Sequence, residues 1–383
     1  MQGIGATTDL TDENTGPPRR AVVHVAESLA TGVLEVVRTL ANHTASIGVP
    51  TVIVYGRRPG TPRDLAGEFD GEVRLVEVPN WGDRRPAQTV AAMVRAGRVL
   101  RGELARYDGG IVHLHSSFAG FLGRLGVVGR NWRLVYSPHG YSFEYESVPP
   151  LTRKLVRVSE SVLGRRGETI AVSNAEGEEA ARIVGEERVL VVQSGVDLPE
   201  LPPANAESSR FVVTLLGRAA VHRRPQLVAD LARRLGSELG AEFVWLGDGP
   251  DRGVLASGGV DVRGWQPRDE LGAALLRSDV VLHLSSYEGF PIAVLEAMAA
   301  ARPVVASDLP AIREALGDAG ILLADDNSAA EEIRRLHGDP GLREELGRQA
   351  RARVERFFTK DRMVERALAA YGLDSSARPP SDT

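Results

Sequence analysis

The chain has 383 residues, of which 43% are hydrophobic, and this size and composition favour a folded protein of two domains over a disordered chain. It contains no cysteine, which excludes a disulfide framework and thiolate chemistry and fits a reducing compartment. A net charge of −5 gives no indication of a nucleic-acid partner. Residues 1–19 lack the apolar core of a signal peptide and are expected to form a flexible tail, and no apolar run approaches the ~20 residues that span a bilayer. These features favour a cytoplasmic protein.

The first half of the chain alternates short apolar runs with longer amphipathic stretches. The runs are rich in Val and Ile and mostly lack alternation, which is typical of strands buried on both faces of a parallel sheet. Segments of helical length, such as 86–106 and 151–165, separate them, so the pattern predicts a doubly wound α/β domain over 20–197. The predicted strands are AVVHVA (21–26), TVIVY (51–55), VRLVEV (73–78), GIVHLH (110–115), RLVYS (133–137), TIAVS (169–173) and VLVVQ (189–193).

The second half repeats this alternation after a Pro-rich segment without periodicity, LPELPPANAESS at 198–209, which we interpret as a linker. A second α/β domain is expected over 210–355, followed by a C-terminal helix over 356–372 that packs back on the first domain and by a disordered tail over 373–383. The predicted strands of this domain are RFVVTLLG (210–217), AEFVWLG (241–247), VDVRG (260–264), DVVLHL (279–284), RPVVAS (302–307) and GILLA (320–324).

Residues that directly follow strands are the first candidates for a site, because ligands of doubly wound sheets bind outside the carboxyl ends of the strands. Arg218 follows a predicted strand, and Arg223 comes shortly before a helix that is expected to begin near Pro225. Two guanidinium groups beside a helix N-terminus suit a diphosphate, although a solvated basic loop remains an equal alternative. The segment GDGP at 247–250, which contains Asp248, has the composition of a turn, and a structural role is favoured over a role in a site.

The segment SSYEGFPIAVLEAMA at 285–299 places a carboxylate on each side of a helix start. Pro291 suits the first helical position, so the amides of Gly289 and Phe290 are expected near a helix N-terminus. Glu296 lies inside an otherwise apolar helix, and a buried carboxylate needs partners such as the hydroxyls of a ribose. We therefore expect Glu288 at the reacting end of a ligand and Glu296 at its nucleoside end.

Histidines occur in strands and in one loop of the first domain. His139, in the loop YSPHGYSF at 136–143, follows a strand between Pro and Gly, so a role in a site is plausible. His24, His113 and His283 lie in strands and are interpreted as core residues, whereas the interpretation of His115 stays open. No cluster of His or carboxylates has the spacing of a metal site, so no metal is expected.

These motifs, in this order across two α/β domains, resemble the family-4 retaining glycosyltransferases of the GT-B fold. EGFPIAVLEAMA, GRAAVHRRP, GDGP and SPHG carry the resemblance, which covers nearly all of residues 20 to 372, and VHLHSSFAGFLGRL with YSPHGYSF is similar to the branch that builds bacterial exopolysaccharide and other cell-surface glycans. The resemblance implies two Rossmann-like domains that face a central cleft, no metal or other cofactor, and transfer with retention of anomeric configuration.

The resemblance also implies roles for individual residues. Those that would hold the donor are Gly32, Arg218, Arg223, Asp248, Gly289, Phe290, Pro291 and Glu296, and those that would act on the donor sugar are His139 and Glu288. Where Arg223 stands, the family usually has Lys, which preserves the charge but not the geometry.

The implied function is transfer of a sugar from a nucleoside diphosphate sugar, with a UDP-sugar as the first expectation, to a glycan or lipid-linked acceptor. An inactive donor-binding or assembly subunit and a sugar-nucleotide epimerase remain alternatives. Residues 81–170 contain 14 Arg and Lys against 7 Asp and Glu. This excess indicates either a face that meets the anionic inner surface of the cell membrane or a scattered solvated surface.

Overall fold

The computed structural model describes residues 20–58, 60–82, 86–144, 148–201 and 210–373 of the chain. The predicted tail at 1–19, residues 202–209 of the predicted linker and residues 374–383 of the predicted C-terminal tail lie outside these described residues. The described residues form two domains, and each is built around a parallel β-sheet that helices cover on both faces. The predicted fold class is therefore confirmed.

The described residues of the first domain form seven strands: β1 (Arg20–Ala26), β2 (Thr51–Tyr55), β3 (Val73–Glu77), β4 (Gly109–His115), β5 (Trp132–Ser137), β6 (Glu168–Ala171) and β7 (Val189–Val191). They form one sheet in the order β3-β2-β1-β4-β5-β6-β7, and every pairing is parallel. The central strand β1 is buried at all positions after the first, because helices cover both faces of the sheet. The helices of this domain are α1 (Thr31–Ser46), α2 (Pro86–Leu104), α3 (Ser116–Leu122), which continues into a π-helical turn (Gly123–Val127), α4 (Pro150–Leu163) and α5 (Asn174–Val184).

In the second domain, the part of the chain that the structure describes forms six strands: β8 (Val212–Leu216), β9 (Glu242–Leu246), β10 (Asp261–Gly264), β11 (Val280–His283), β12 (Val304–Ser307) and β13 (Ile321–Leu323). Their order is β10-β9-β8-β11-β12-β13, again with parallel pairing throughout. The remaining helices are α6 (Pro225–Leu239), α7 (Arg252–Ser257), α8 (Arg268–Leu276), α9 (Ile292–Ala299), α10 (Pro310–Leu316), α11 (Ala329–Gly338), α12 (Pro340–Phe357) and α13 (Lys360–Tyr371).

Local sequence signals explain where several helices begin. Pro150, Pro225 and Pro340 each stand in the first turn of a helix, where the missing N–H costs little and the fixed φ suits the helix. At the start of α5, the hydroxyl of Ser173 accepts a hydrogen bond from the backbone N–H of Glu176 at 3.0 Å, which is a capping interaction. None of the described helices combines the length and the apolar character that a bilayer crossing requires.

The chain returns to the first domain after α12. Val196 N donates to Phe358 O at 2.9 Å and Lys360 N donates to Val196 O at 3.2 Å, so the two connections between the domains run side by side. Helix α13 then packs Met363 and Ala367 into the same hydrophobic cluster as Val22 of the first sheet. The C-terminal helix thereby ties the end of the chain to the first domain.

The carboxyl ends of strands from both sheets face one cleft. Residues that follow β1, β4 and β5 line it from the first domain, and residues that follow β8 and β11 line it from the second. This is the edge at which parallel α/β sheets bind ligands, because loops and helix N-termini converge there.

Candidate active site in the interdomain cleft

The cleft between the domains has a volume of about 1080 Å³. Most of the predicted site residues line it, namely Gly32, His139, Arg218, Arg223, Glu288, Gly289, Phe290 and Glu296. The structure thus brings together residues that lie more than two hundred positions apart in sequence, such as Gly32 and Glu296.

Asp248 and Pro291 are not among the residues that line the cleft. Asp248 Oδ1 accepts a hydrogen bond from Gly249 N at 2.8 Å, and its backbone oxygen accepts one from Ala219 N at 3.1 Å. It therefore shapes the loop beside Arg218 and does not face the cleft. Helix α9 begins at Ile292, one residue later than predicted, because Pro291 has a ψ of 81° and stands at the N-cap.

Glu288 is held in the cleft wall by two neighbours. Its Oε1 lies 2.9 Å from Arg223 Nη1 and 2.9 Å from His283 Nε2. Burial by itself raises the pKa of Glu288, but Arg223 and His283 outweigh it, and the pKa falls to about 2. Glu288 is therefore ionised, and its carboxylate has a fixed orientation.

His283 was interpreted as a core residue, and its burial confirms this, but the structure adds a second role. It is 2% exposed, as a core residue would be, but it contacts both Glu288 and Arg223. It is the last residue of β11, and therefore lies at the sheet edge that faces the cleft. This position at a strand's carboxyl end is the signal that could have identified it from the sequence.

Arg218 and Arg223 lie on the loop between β8 and α6. A short 3-10 turn (Val221–Arg223) and the left-handed conformation of Arg224, with φ of 52°, precede the helix. His222 O accepts a hydrogen bond from Ser286 N at 2.9 Å, which ties this loop to the one that carries Glu288. Arg218 is exposed toward the cleft and makes no ion pair within the described part of the chain, so its guanidinium group is available to an anion.

Glu296 faces the cleft from within α9 and has no cation as a direct partner among the described residues. Burial raises the pKa of Glu296 to about 7, and the negative charge of Glu35 adds to this effect. Glu35 itself is paired with Arg38 at 2.5 Å and with Arg268, which reaches across from the second domain. A ligand in the cleft could therefore donate hydrogen bonds to the Glu296 carboxyl group.

His139 ends a chain of three imidazoles that leads inward from the cleft. His115 Nδ1 lies 2.9 Å from His139 Nε2, and His24 Nδ1 lies 3.0 Å from His115 Nε2. Burial lowers the pKa of His24 to about 3 and that of His139 to about 4, and it lowers the pKa of His115 as well, so the three rings are neutral. Each neutral ring donates through one nitrogen and accepts through the other.

The inner end of this chain decides its direction. His24 Nε2 is buried without a hydrogen-bond partner among the described residues. A buried N–H without an acceptor is rarer than a lone pair without a donor, so the favoured arrangement leaves the lone pair on His24 Nε2. Each ring then donates from Nδ1 to the next, and His139 keeps its Nδ1–H for the cleft.

A fourth histidine, His113, lies beside this chain because strand residues two apart point to the same face of a sheet. The ring nitrogens of His24, His113 and His115 fall within 4.8 Å of one another, a grouping that sequence spacing did not show. Ser137 Oγ donates to Ile170 O at 2.7 Å and so accepts from His113 Nε2–H at 2.8 Å, while Tyr371 Oη donates to His113 Nδ1 at 2.6 Å. Because the lone pair of His113 is engaged, the arrangement favours a hydrogen-bonded network over a metal ligand set.

The two domains touch where the loops of His139 and Glu288 meet. Ser173 Oγ donates to Gly289 O at 2.8 Å across the domain boundary. A Cβ atom at Gly289 would lie 2.8 Å from Gly140 N, so only glycine permits this approach. His139 has a φ of 52°, a strained value for a residue with a side chain, as is common at functional sites.

Comparison with known proteins assigns the two domains to described families. Residues 30–200 match the family described as Glycosyltransferase Family 4, and residues 210–339 match that described as Glycosyl transferases group 1. The chain belongs to the family-4 glycosyltransferases. The resemblance stated from the sequence motifs is therefore confirmed.

Two curated relatives show how far the similarity of this family-4 chain extends. D-inositol 3-phosphate glycosyltransferase of Streptomyces bingchenggensis is 29% identical over 298 residues, which are 66% of this chain and 63% of that protein. UDP-Gal:alpha-D-GlcNAc-diphosphoundecaprenol alpha-1,3-galactosyltransferase of Escherichia coli is 28% identical over 274 residues, which are 64% of this chain and 69% of that protein. The chain thus spans less than two thirds of the first of these relatives.

Solved structures share the fold of the family-4 chain. Sucrose-phosphate synthase from Thermosynechococcus elongatus superposes with a TM-score of 0.77 at 18% identity, covering 94% of this chain and 100% of that one. HepE of Anabaena in complex with UDP-glucose superposes with a TM-score of 0.73 at 16% identity, covering 92% and 99%. At these identities the structures establish the GT-B fold and not the substrate.

Proposed function

We propose that the protein transfers a sugar from a nucleoside diphosphate sugar to a hydroxyl group of an acceptor, with retention of anomeric configuration and without a metal ion. The observation that carries this proposal is the cleft itself. It gathers two arginines and the N-terminus of α9 from one domain and His139 from the other, around a space of about 1080 Å³. A dianionic diphosphate that joins a sugar to a nucleoside fits this distribution of charge.

The donor would lie along the second domain. Arg218 is available to the diphosphate, and Arg223, which holds Glu288, adds a second positive charge on the same loop. Glu296 would accept hydrogen bonds from the ribose hydroxyls, which supply the donors that its environment lacks. Glu288, His139 and the amides of Gly289 and Phe290 would hold the donor sugar. HepE of Anabaena has been solved in complex with UDP-glucose, which supports a UDP-sugar as the donor.

The reaction breaks the bond between the anomeric carbon and the diphosphate oxygen. Positive charge develops on the sugar ring and additional negative charge on the leaving diphosphate. Arginines and a helix N-terminus that are fixed before the reaction stabilise the leaving group without reorganisation. Such preorganised electrostatic stabilisation is usually the largest single contribution to the rate enhancement of an enzyme. The ionised Glu288, held by Arg223 and His283, would face the developing positive charge.

The acceptor is proposed to be a glycan or a lipid-linked glycan at the inner face of a bacterial membrane. The Escherichia coli relative acts, by its name, on a diphosphoundecaprenol-linked sugar. The excess of Arg and Lys over residues 81–170 supports contact with anionic lipid.

Incubation with a panel of sugar nucleotides, with and without acceptor, tests this function. Release of nucleoside diphosphate that depends on the acceptor supports a transferase, and the anomeric proton coupling of the early product reports retention. A free epimer would support an epimerase instead, and donor binding without turnover would support an inactive subunit.

A further inference from the structure

Helix α4 of the first domain presents an apolar stripe to solvent. Leu151, Leu155, Val158 and Val162 are 70%, 63%, 53% and 66% exposed. Their spacing of four, three and four residues places all of them on one side of the helix, along about 17 Å at 1.5 Å per residue. We refer to these four side chains as the α4 stripe.

The opposite side of α4 is anchored in the domain, so the stripe cannot turn inward. Glu160 is buried and accepts a hydrogen bond from Arg124 Nη2 at 2.7 Å, and it also accepts one from Tyr136 Oη at 3.2 Å. Glu160 is nearly half a turn away from the α4 stripe on the helix circumference. Breaking this buried ion pair would leave an unpaired charge, which fixes the orientation of the helix.

Basic residues lie beside the α4 stripe and at its C-terminal end. Lys154 projects from the same exposed half of the helix, and Arg165 and Arg166 follow its C-terminus on exposed positions. Arg157 is also exposed but pairs with Glu179 at 2.8 Å. The only carboxylate within α4 is the buried Glu160, so no acid on this helix offsets these cations.

The apolar surface continues toward the cleft. On the neighbouring α3 and its π-helical turn, Phe118, Phe121 and Leu125 are also exposed, and both helices pack on the same face of the first sheet. Phe118 and Thr152 line the mouth of the cleft. The apolar surface therefore begins where an acceptor would enter.

We propose that the α4 stripe, together with the exposed side chains of α3, inserts into the surface of an anionic lipid bilayer and holds the cleft mouth at the membrane. An exposed apolar stripe beside basic side chains is the arrangement of helices that lie in a lipid interface. A second copy of the chain fits less well, because pairing two such faces would oppose Lys154, Arg165 and Arg166 to the same charges. The inference rests on the proposed function for its purpose, since a bilayer at the cleft mouth would present a lipid-linked acceptor.

Flotation of the full chain with vesicles tests the docking surface directly. One set of vesicles contains phosphatidylcholine with phosphatidylglycerol, and the other contains phosphatidylcholine alone. We expect the protein to float with the anionic vesicles at low salt, with at least a fivefold loss in the double variant Leu155→Ser/Val158→Ser and in Lys154→Glu/Arg165→Glu. The matched control Ile47→Ser/Leu190→Ser removes two exposed aliphatic side chains elsewhere in the domain and should float as the parent does.

Three outcomes would overturn the proposal. The parent fails to float, or it floats equally with neutral vesicles and at high salt, or the α4 variants float as the parent does. Analytical sedimentation compares the self-association of the parent with that of Leu155→Ser/Val158→Ser. If only the parent self-associates, the α4 stripe is an interface between copies of the chain and the lipid proposal is wrong. Calorimetric binding of UDP is measured on the same samples. If the α4 variants lose flotation but bind UDP as the parent does, the substitutions act on the docking surface and not on the donor site. If the parent does not bind UDP, the proposed function is contradicted and the docking surface is not.

Discussion

His115 Nδ1 lies 2.9 Å from His139 Nε2, so a hydrogen bond joins a fully buried strand position to the loop that faces the cleft. Among the described residues, the His139 ring has no second imidazole within hydrogen-bonding distance. Its orientation therefore depends on His115, which is buried and out of reach of a ligand.

Replacement of His115 is expected to act through His139. His115→Phe keeps the ring volume but removes the hydrogen bond, so kcat should fall about tenfold, a loss of ~1.4 kcal/mol, with little change in UDP affinity. The nitrogen-15 shifts of His139 should change from one tautomer to a mixture of two, which a purely structural effect would not produce. His337→Phe, an exposed position outside the cleft, is the control and should leave both unchanged. Unaltered kcat and shifts in His115→Phe would contradict the role.

The raised pKa of Glu296 predicts that UDP binding depends on pH. If the ribose hydroxyls donate to its carboxylate, UDP affinity should increase from pH 6 to pH 8, as the group ionises around its pKa of about 7. Glu296→Gln should bind UDP more weakly at pH 8 by ~1.5–3 kcal/mol and should show a smaller pH dependence than the parent. Isothermal titration at both pH values measures this, and a pH dependence as large in the Gln variant as in the parent would assign it to another group.

The same group predicts an opposite trend for stability. The pKa of Glu296 is about 7 in the folded protein and 4.5 in the unfolded chain, so the folded protein holds this proton more tightly. The group therefore makes the protein less stable as pH rises from 4.5 to about 7. Glu296→Gln should therefore raise Tm at pH 8 more than at pH 5. Thermal unfolding of the parent and the variant at both pH values checks this, and an equal shift at both would contradict it.

The two arginines of the β8–α6 loop are expected to differ in function. Arg218→Ala should weaken donor binding and lower kcat/KM together, since the diphosphate is charged before the reaction and more so at the transition state. Arg223→Lys keeps a cation but loses the planar fork, so activity should largely survive if Arg223 acts only through its charge. Steady-state kinetics on both variants decides this, and donor binding in Arg218→Ala as tight as in the parent would overturn the diphosphate assignment.

Gly289 is expected to control how closely the domains approach. In Gly289→Ala the new Cβ would lie 2.8 Å from Gly140 N and 3.0 Å from His139 C, so the cleft should open. The radius of gyration from small-angle scattering should increase, and kcat/KM should fall at least tenfold because His139 moves away from the donor. Gly272→Ala, within α8 and with open space around it, is the matched control and should change neither value. A closed and fully active Gly289→Ala would show that this contact does not limit closure.

The proposed metal independence has a direct test at the histidine cluster. Dialysis against a chelator should leave activity and Tm unchanged, since His113 uses both ring nitrogens in hydrogen bonds to Tyr371 and Ser137. Elemental analysis of the purified protein should find less than 0.1 equivalent of zinc, on the order of a trace impurity rather than a site. A stoichiometric metal that His24→Phe removes would identify the cluster as a metal site.

The sequence alone determined the two parallel α/β domains. Uninterrupted Val and Ile runs and intervening helices are local signals, and together they are satisfied by a parallel sheet with helices on both faces. It also identified the loops after β8 and β11, since residues that follow parallel strands must lie at one sheet edge. Only the tertiary structure joined His139 to Gly289, Glu35 to Arg268 and His24 to His115, because such contacts join separate strands and domains and leave no spacing in the chain. The same reason placed the α4 stripe in solvent, since a buried and an exposed apolar face have the same periodicity and only the neighbouring elements decide which is covered.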